Sequence, residues 1–545
     1  MSIVLGIDTG GTYTDSVLVD LAAGQVLAKA KALTDKNNLL ESIINSIGGL
    51  AVSGCRQPER VVLSTTLATN AVVEGRGQAA GLILIGRRPP GDFPAEVVRQ
   101  VKGGLNIKGR ETVSVDAAEV AEAAALMAGR VQALTVSGYL SVRNPAQELE
   151  VRRLVQQVCD LPVVCGHELA SELGFYERTV TAVLNARLLP LIGDFLDAAE
   201  MALAGLGLKV PVYVVKGNGD MASVASIRER PVETILSGPA ASLIGAVFLS
   251  RVKNALVLDM GGTTTDSALV RDGRVPMRKD GAIVGAWRTL VSSADIATVG
   301  LGGDSRIRIN AGGRLVFGPE RALPACRDQN EVPETLTPTD LLEASGRLNL
   351  WPGDKSKKAL AAMAARLDLS EGEFLSLAEE EFLAAISEKC IQARLPKGEP
   401  LLAIGAPAGV WLAEAGARNN MEVIVPEHHE VANAVGAACA EIRFRLSALI
   451  RPGEDSRGFV LHLPDRREIF PDYDLALAYA AEALQQKVGA LAQTHGAHFF
   501  ESGLEREEVR VEGRFVETVL TLEGLGRISL KPKTISGKAA GPFAG

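Results

Sequence analysis

Histidine and cysteine are both sparse, at six residues each in a chain of 545. The cysteines (Cys55, Cys159, Cys165, Cys326, Cys390 and Cys439) form no CxxC pair and lie too far apart for a disulfide framework or a zinc site. That usage predicts a reducing, cytoplasmic home. The closest histidines, His428 and His429, are sequence neighbours that project differently on most backbones, so metal binding through imidazole is not expected. Long apolar runs are missing too. The apolar stretch Ile235 to Ser250, 16 residues within the longest uncharged run, is broken by Ser237, Gly238 and Pro239, which predicts no membrane helix. No basic segment followed by an apolar run opens the chain, so no signal peptide is expected. There is no excess of positive charge: 57 Lys and Arg against 65 Asp and Glu give a net charge of −8, which argues against nucleic acid or anionic membrane as a partner. Finally, no GxxxxGK[ST] is present and no GxGxxG opens a helix after the first strand, so neither a P-loop nor a Rossmann site is supported.

What is present is ordinary globular material, 47% hydrophobic and 22% charged, enough for three or four structural units. The strongest signal is an internal repeat. Leu5 to Val19 (LGIDTGGTYTDSVLV) recurs at Leu256 to Val270 (LVLDMGGTTTDSALV), displaced by 251 residues and identical at ten of fifteen positions. That spacing is too long for a solenoid and implies two related halves, each carrying one strand-turn-strand element.

In each copy an apolar strand ends in an aspartate (Asp8, Asp259). Two glycines and a threonine follow (Gly10, Gly11, Thr12; Gly261, Gly262, Thr263, then Thr264), and a second strand leaves. Successive glycines let the backbone take φ > 0 and aim bare N–H groups at one point, an anion nest that holds a phosphate. The preceding carboxylates are placed to hold Mg²⁺, directly or through water. Two such turns facing one another would clamp a nucleoside triphosphate. A plain hairpin also favours Gly-Gly, but needs neither the preceding acid nor the following Thr-Asp. Asp15 and Asp266 either cap their hairpins by bonding turn amides or act in catalysis.

The paired turns resemble the phosphate-1 and phosphate-2 loops of the actin, sugar-kinase and Hsp70 superfamily, and more narrowly the chain resembles the hydantoinase/oxoprolinase family. The narrower resemblance rests on Asp8 to Asp15, LSTTLATNAVVEGRG at Leu63 to Gly77 and ERTVTAVLNARLLP at Glu177 to Pro190. It rests also on ETILSGPAASLIGA at Glu233 to Ala246, DMGGTTTD at Asp259 to Asp266, DIATVGLGGDS at Asp295 to Ser305 and AIGAPAG at Ala403 to Gly409. It implies an α/β fold with a two-lobed, ribonuclease-H-like core of the actin/hexokinase/Hsp70 type and a nucleotide cleft. The implied enzyme is Mg-ATP-dependent and opens hydantoins or 5-oxoproline by phosphorylating a carbonyl oxygen. Alternatives are a ketone-carboxylase subunit and a non-catalytic ATP-binding conformational module. Asp8 and Asp259 would then position metal and attacking oxygen, the two Gly-Gly-Thr turns would hold phosphates, and Gly405, Ala406 and Pro407 would lie near the adenosine. Gly302 and Gly303 form a further glycine-rich turn facing the cleft, with Asp304 beside it. Thr65, Thr66 and Asn70 are candidate substrate contacts. The catalytic base stays open between Asp15, Asp266, Asp304 and a residue of a separate hydantoinase B-like subunit; a small amide or ketone substrate and a homo-oligomer are expected.

Three departures stand out. Leu63 replaces the family's histidine, Ala241-Ser242 replaces a Gly-Gly, and ERALPACRDQ (320–329) replaces a Pro-Gly-Pro-rich segment. Arg178 either grips a substrate carboxylate or ion-pairs with Glu177 or another acid on a lobe-connecting helix. Along the chain the pattern predicts lobes at 1–190 and 191–450 and a small α+β domain at 451–545 after a Pro/Gly-rich linker. It also predicts strands at 81–85 and 133–136, and helices over 354–394 broken at Gly372.

Overall fold

The strand Ile3–Thr9 is buried along its whole length and pairs antiparallel with Tyr13–Asp20 and parallel with Arg60–Thr65. It sits inside a six-stranded sheet ordered 221–223, 212–215, 60–65, 3–9, 13–20, 25–33. The repeat copy does the same. Ala255–Met260 pairs antiparallel with Thr265–Val270 and parallel with Leu401–Ile404, in a five-stranded sheet flanked by Ala297–Val299 and Val423–Ile424. The architecture is therefore α/β with a duplicated hairpin. This computed structural model describes residues 2–528 except 36, 51–56, 171, 328–334, 350, 395–397, 454–457, 465, 496 and 512–513. Cys55, residues 454–457 of the expected linker, the end of ERALPACRDQ and the C-terminal GKAAGPFAG lie outside the described residues.

A third, all-parallel sheet is ordered 163–165, 133–138, 80–85, 97–101, so the predicted strands at 81–85 and 133–136 share it. Between it and the first sheet runs the helix Phe175–Gly205. Val180, Leu184 and Leu188 face one core, while Ala182, Val183 and Ala186 face the other. Burial on two sides explains why this helix has no polar stripe and why, by length and composition alone, it is apolar enough to cross a membrane. Pro190 removes the N–H that Ala186 O would receive, and Gln78 Nε2 donates to that carbonyl instead at 2.6 Å.

Two expected boundaries are corrected. The break at 190 falls inside this helix, and Val212–Val215 returns to the first sheet beside Arg60–Thr65. The break at 451 falls inside the strand Ile442–Pro452, and the second compact unit begins at Glu441. That unit is a five-stranded antiparallel sheet with the helix Tyr473–Thr494. The helix break at Gly372 is also moved. Gly372 lies in the first turn of Glu371–Ile386, and the turn itself is made around Asp368, whose φ is +55°.

Two helices cross with their backbones touching. A Cβ on Gly436 of Ala432–Cys439 would lie 1.7 Å from Ala241 O of Ser237–Ser250, and one on Gly245 would lie 1.9 Å from Ala432 O. The first strand approaches as closely, since a Cβ on Gly6 would lie 2.1 Å from Ala434 O.

Candidate functional site

Both hairpins close identically, with Gly10 N donating to Tyr13 O and Gly261 N to Thr264 O, each at 2.9 Å. Gly11-Thr12 and Gly262-Thr263 are thus the hairpin tips. None of the four glycines takes a positive φ, which corrects the expected reason for them. Space is the reason at Gly262, where a Cβ would lie 2.7 Å from Asp304 Oδ2. The turn 300–305 clamps this tip: Gly303 N donates to Gly261 O and Asp304 N to Gly262 O, and a Cβ on Gly302 would strike both carbonyls at 2.7 Å. Gly405 completes the cluster. Its φ is +95°, and a Cβ there would lie 2.2 Å from Met260 O and 2.8 Å from Asp259 Oδ1. Pro407 lies against Gly303, and Ala406 is exposed beside it.

Asp15 and Asp266 do not bond turn amides. Each sits directly opposite its strand-end partner, Asp8↔Asp15 and Asp259↔Asp266, so each hairpin carries two carboxylates on one face. Lys31 Nζ pairs with Asp15 at 2.6 Å, and Thr298 Oγ1 donates to Asp266 Oδ1 at 2.5 Å. Asn433 Nδ2 reaches Asp8 Oδ2 at 3.4 Å and Ser64 lies beside that carboxylate, while Asp8 Oδ1 is buried with no hydrogen-bond partner of normal geometry. Ser242 Oγ donates to Asp259 Oδ2 at 2.5 Å, so the departure from Gly-Gly at 241–242 supplies the hydroxyl that supports this acid.

Burial raises all four carboxyls above the usual aspartate range. The charge of Asp259 also pushes Asp8 and Asp266 up, which places the two hairpins within electrostatic reach of one another. Asp266 rises to about 7 and, against the pull of Lys31, Asp15 to about 6. A folded pKa above the unfolded value means that the folded chain binds extra protons between about pH 4 and pH 7. The resulting stability is complete below the unfolded pKa and is lost as pH rises through the folded one. In chelator-containing buffer, urea unfolding is therefore expected to show stability falling from pH 5 to pH 8. Asp266→Asn should flatten that slope by roughly 2 kcal/mol, a figure reduced from the full shift because the side chain keeps some solvent contact. A variant slope equal to that of the wild type would contradict this.

Arg321 joins the two tips. Its Nη2 donates to Thr12 Oγ1 at 2.8 Å and to Asp304 Oδ2 at 3.1 Å. Tyr13 lies between Lys31 (5.0 Å from the ring centroid) and Arg327 (5.6 Å). Sequence reasoning passed over both arginines, treating ERALPACRDQ only as a departure; two arginines within seven residues of that segment were the available signal. His429, considered above only as a metal ligand, is brought to the second hairpin: its Nδ1 lies 2.9 Å from Gly405 O. Thr65, Thr66 and Asn70 are brought to the first tip. Thr65 Oγ1 donates to Thr9 O, Asn70 Nδ2 donates to Thr66 Oγ1, and a Cβ on Gly11 would lie 3.7 Å from Asn70 Nδ2. Leu63 is fully buried in the core.

Arg178 is not brought there. It is fully buried, makes no ion pair with Glu177, and donates to the carbonyls of Gly138, Tyr139, Glu172 and Leu173. It ties the start of the long helix to the third sheet, and neither expected role holds.

Fold and site together define an α/β protein built around a duplicated acidic hairpin. The same fold occurs in an acetone carboxylase solved without nucleotide (TM-score 0.78, 21% identity, covering 97% of this chain and 88% of that one). It occurs also in the ATP-dependent caprolactamase of Pseudomonas jessenii (TM-score 0.70, 22% identity, 99% and 90%). The hydantoinase/oxoprolinase N-terminal region matches residues 4–159 and the hydantoinase/oxoprolinase model matches residues 178–446. The chain belongs to the hydantoinase/oxoprolinase family. Among relatives, the caprolactamase subunit alpha of Pseudomonas jessenii is 30% identical over 376 residues, 62% of this chain and 54% of that protein. The acetophenone carboxylase gamma subunit of Aromatoleum aromaticum is 25% identical over 86% of this chain and 71% of that protein. The chain thus spans about half the length of the caprolactamase subunit it matches.

Proposed function

We propose that the chain is an Mg-ATP-dependent hydrolase of the hydantoinase/5-oxoprolinase type, acting on a cyclic amide. The observation that carries this is the pair of carboxylates Asp8, buried, and Asp259, half-buried, at one register position of two hairpins, with Asp8 Oδ1 unpartnered. Two interacting anions cost free energy that a divalent cation offsets, and hard carboxylate oxygens suit Mg²⁺. Lys31, ion-paired with Asp15, offsets this only in part: its charge lowers both carboxyls, and burial still holds them above the usual aspartate range. The donor set therefore fits the metal.

In this reading Asp8 and Asp259 would hold the ion. The amides of Gly11 and Thr12 and of Gly262 to Thr264, at the tips beyond the hairpin-closing Gly10 and Gly261, would hold phosphates, and Gly302, Gly303 and Gly405 to Pro407 border the adenosine. Bound there, Mg-ATP supplies a phosphoryl group that turns a carbonyl oxygen into a leaving group. Arg321 and Arg327 bring positive charge to the first tip, where a transferring phosphoryl group is stabilised by fixed donors. Thr65, Thr66 and Asn70 orient the substrate. Asp266 and Asp15, with carboxyls near neutrality, are suited to hold and release a proton. A separate hydantoinase B-like subunit completes the enzyme, a reading supported by relatives that are themselves named as subunits. The second reading, a ketone-carboxylase subunit, is favoured by the length of the acetophenone carboxylase match.

The test is phosphate release from Mg-ATP with 5-oxoproline, caprolactam or hydantoin, and with acetone or acetophenone plus bicarbonate, each with and without the second subunit. Stimulation by a cyclic amide, with the ring-opened product detected, is expected. Stimulation by ketone and bicarbonate alone would establish the second reading, and ATP binding with no stimulation would leave a conformational module.

A further inference from the structure

The third sheet carries a cavity of its own. In its order 163–165, 133–138, 80–85, 97–101, the chain leaving Ile85 turns to one side, toward 97–101, and the chain leaving Gly138 turns to the other, toward 163–165. Neighbouring parallel strands whose exits diverge leave a crevice beyond their carboxyl ends, the place where open α/β sheets bind ligands. A cavity of about 280 Å³ lies there, bordered by Gly86-Arg87 on one exit and Gly138-Tyr139 on the other, with Glu148 also in its wall. The size suits a compact metabolite.

Its borders are fixed. A Cβ on Gly86 (φ +73°) would lie 2.4 Å from Gly103 O, and one on Gly103 would lie 2.4 Å from Ile85 Cγ2, so the two glycine turns interlock. Tyr139 is held at the edge of Phe175 (centroids 5.6 Å apart), Arg178 lies over Phe175, and Arg178 also binds the Gly138 and Tyr139 carbonyls. The buried arginine thus sets one wall of this cavity without entering it.

The charges select the ligand. Glu148 is fully buried and receives Gly138 N (2.7 Å), His167 N (2.9 Å) and His167 Nδ1 (2.6 Å), so its charge is already compensated. With both oxygens committed, and with the nearby Cys165 thiol pushed well up by burial, this corner is poorly suited to a cation even though Glu148, Cys165 and His167 lie within 4.8 Å of one another. Arg87, by contrast, is exposed, stacks 5.0 Å over the Tyr139 ring and makes no ion pair among the described residues. A guanidinium on a flat phenol presents a fork to a planar carboxylate. Among the described residues lining the cavity Arg87 is the one cation, which matches a single carboxylate and leaves the second charge of a dianion without a partner.

The geometry points to a second small-molecule site in this chain, separate from the duplicated hairpins, that binds a compact monocarboxylate through Arg87 and Tyr139. It does not depend on the nucleotide reading. Calorimetric titration of the full chain with butyrate and with benzoate tests it, with butyramide and inorganic phosphate as comparison ligands. Saturable binding of at least one acid is expected, weakened by on the order of tenfold or more in Arg87→Gln. Arg88→Gln, one residue along and stacked on Phe93, should bind as the wild type does. Mg-ATP should neither displace the acid nor bind differently to Arg87→Gln. The proposal is overturned if neither acid saturates the folded wild type, if Arg87→Gln binds equally well, if phosphate or butyramide binds as tightly as the acids, or if Mg-ATP competes.

Discussion

Replacing Asp8 by Asn, and separately Asp259 by Asn, is expected to weaken Mg-ATP binding on the order of 10- to 100-fold in titration calorimetry, the worth of one lost charge-assisted contact. Asp197→Asn, an acid paired with Arg228 on the long helix, should leave binding unchanged. The same two site variants are expected to be at least as stable as the wild type without nucleotide. Each removes one of two interacting anions, Asp8 buried and Asp259 half-buried, and Asn keeps an oxygen for Ser242 or an amide beside Asn433 and Ser64. Lost binding with retained or raised stability identifies a site whose charges are held for a ligand. Lost binding with lost stability would mean that the carboxylates serve the fold, and unchanged binding would place the nucleotide elsewhere.

The hairpins themselves were legible because all their information is local. Fifteen consecutive residues, repeated, specify strand, turn and strand with the acid at a fixed register. The groups that tune those acids were not legible in the same way. Lys31 and Ser242 lie 16 and 17 residues along the chain from Asp15 and Asp259, but Asn433 reaches Asp8 across 425 residues. No periodicity records such a meeting. Arg178 shows the opposite failure: a charged residue near a helix start reads as carboxylate-binding or ion-paired, whereas four backbone carbonyls take its protons in the core. The lobe boundary at 190 was misplaced for a related reason. A helix buried on both sides loses the polar stripe that marks an edge, so one α/β stretch conceals two sheets.

The glycines of the crossed helices carry the largest expected effect on stability. Gly436→Val is expected to lower the stability of the 1–440 unit by roughly 3 kcal/mol or more, because the first added carbon already lies inside the van der Waals shell of Ala241 O and the obstacle is backbone, which cannot rotate away. Gly193→Ala, in the long helix of the same unit, meets nothing within 4 Å and should instead stabilise by up to about 1 kcal/mol through helix propensity alone. Urea unfolding of the two variants therefore separates close approach from backbone freedom as the reason for a helical glycine. The crossing matters to chemistry as well as to stability. Asn433, which reaches Asp8, lies three residues before Gly436, and Ser242, which holds Asp259, lies three before Gly245. Forcing the helices apart moves both supports at once. A milder Gly436→Ala protein that remains folded is accordingly expected to lose Mg-ATP affinity out of proportion to its loss of stability, and a folded variant with wild-type affinity would show that the crossing does not set the position of the two acids.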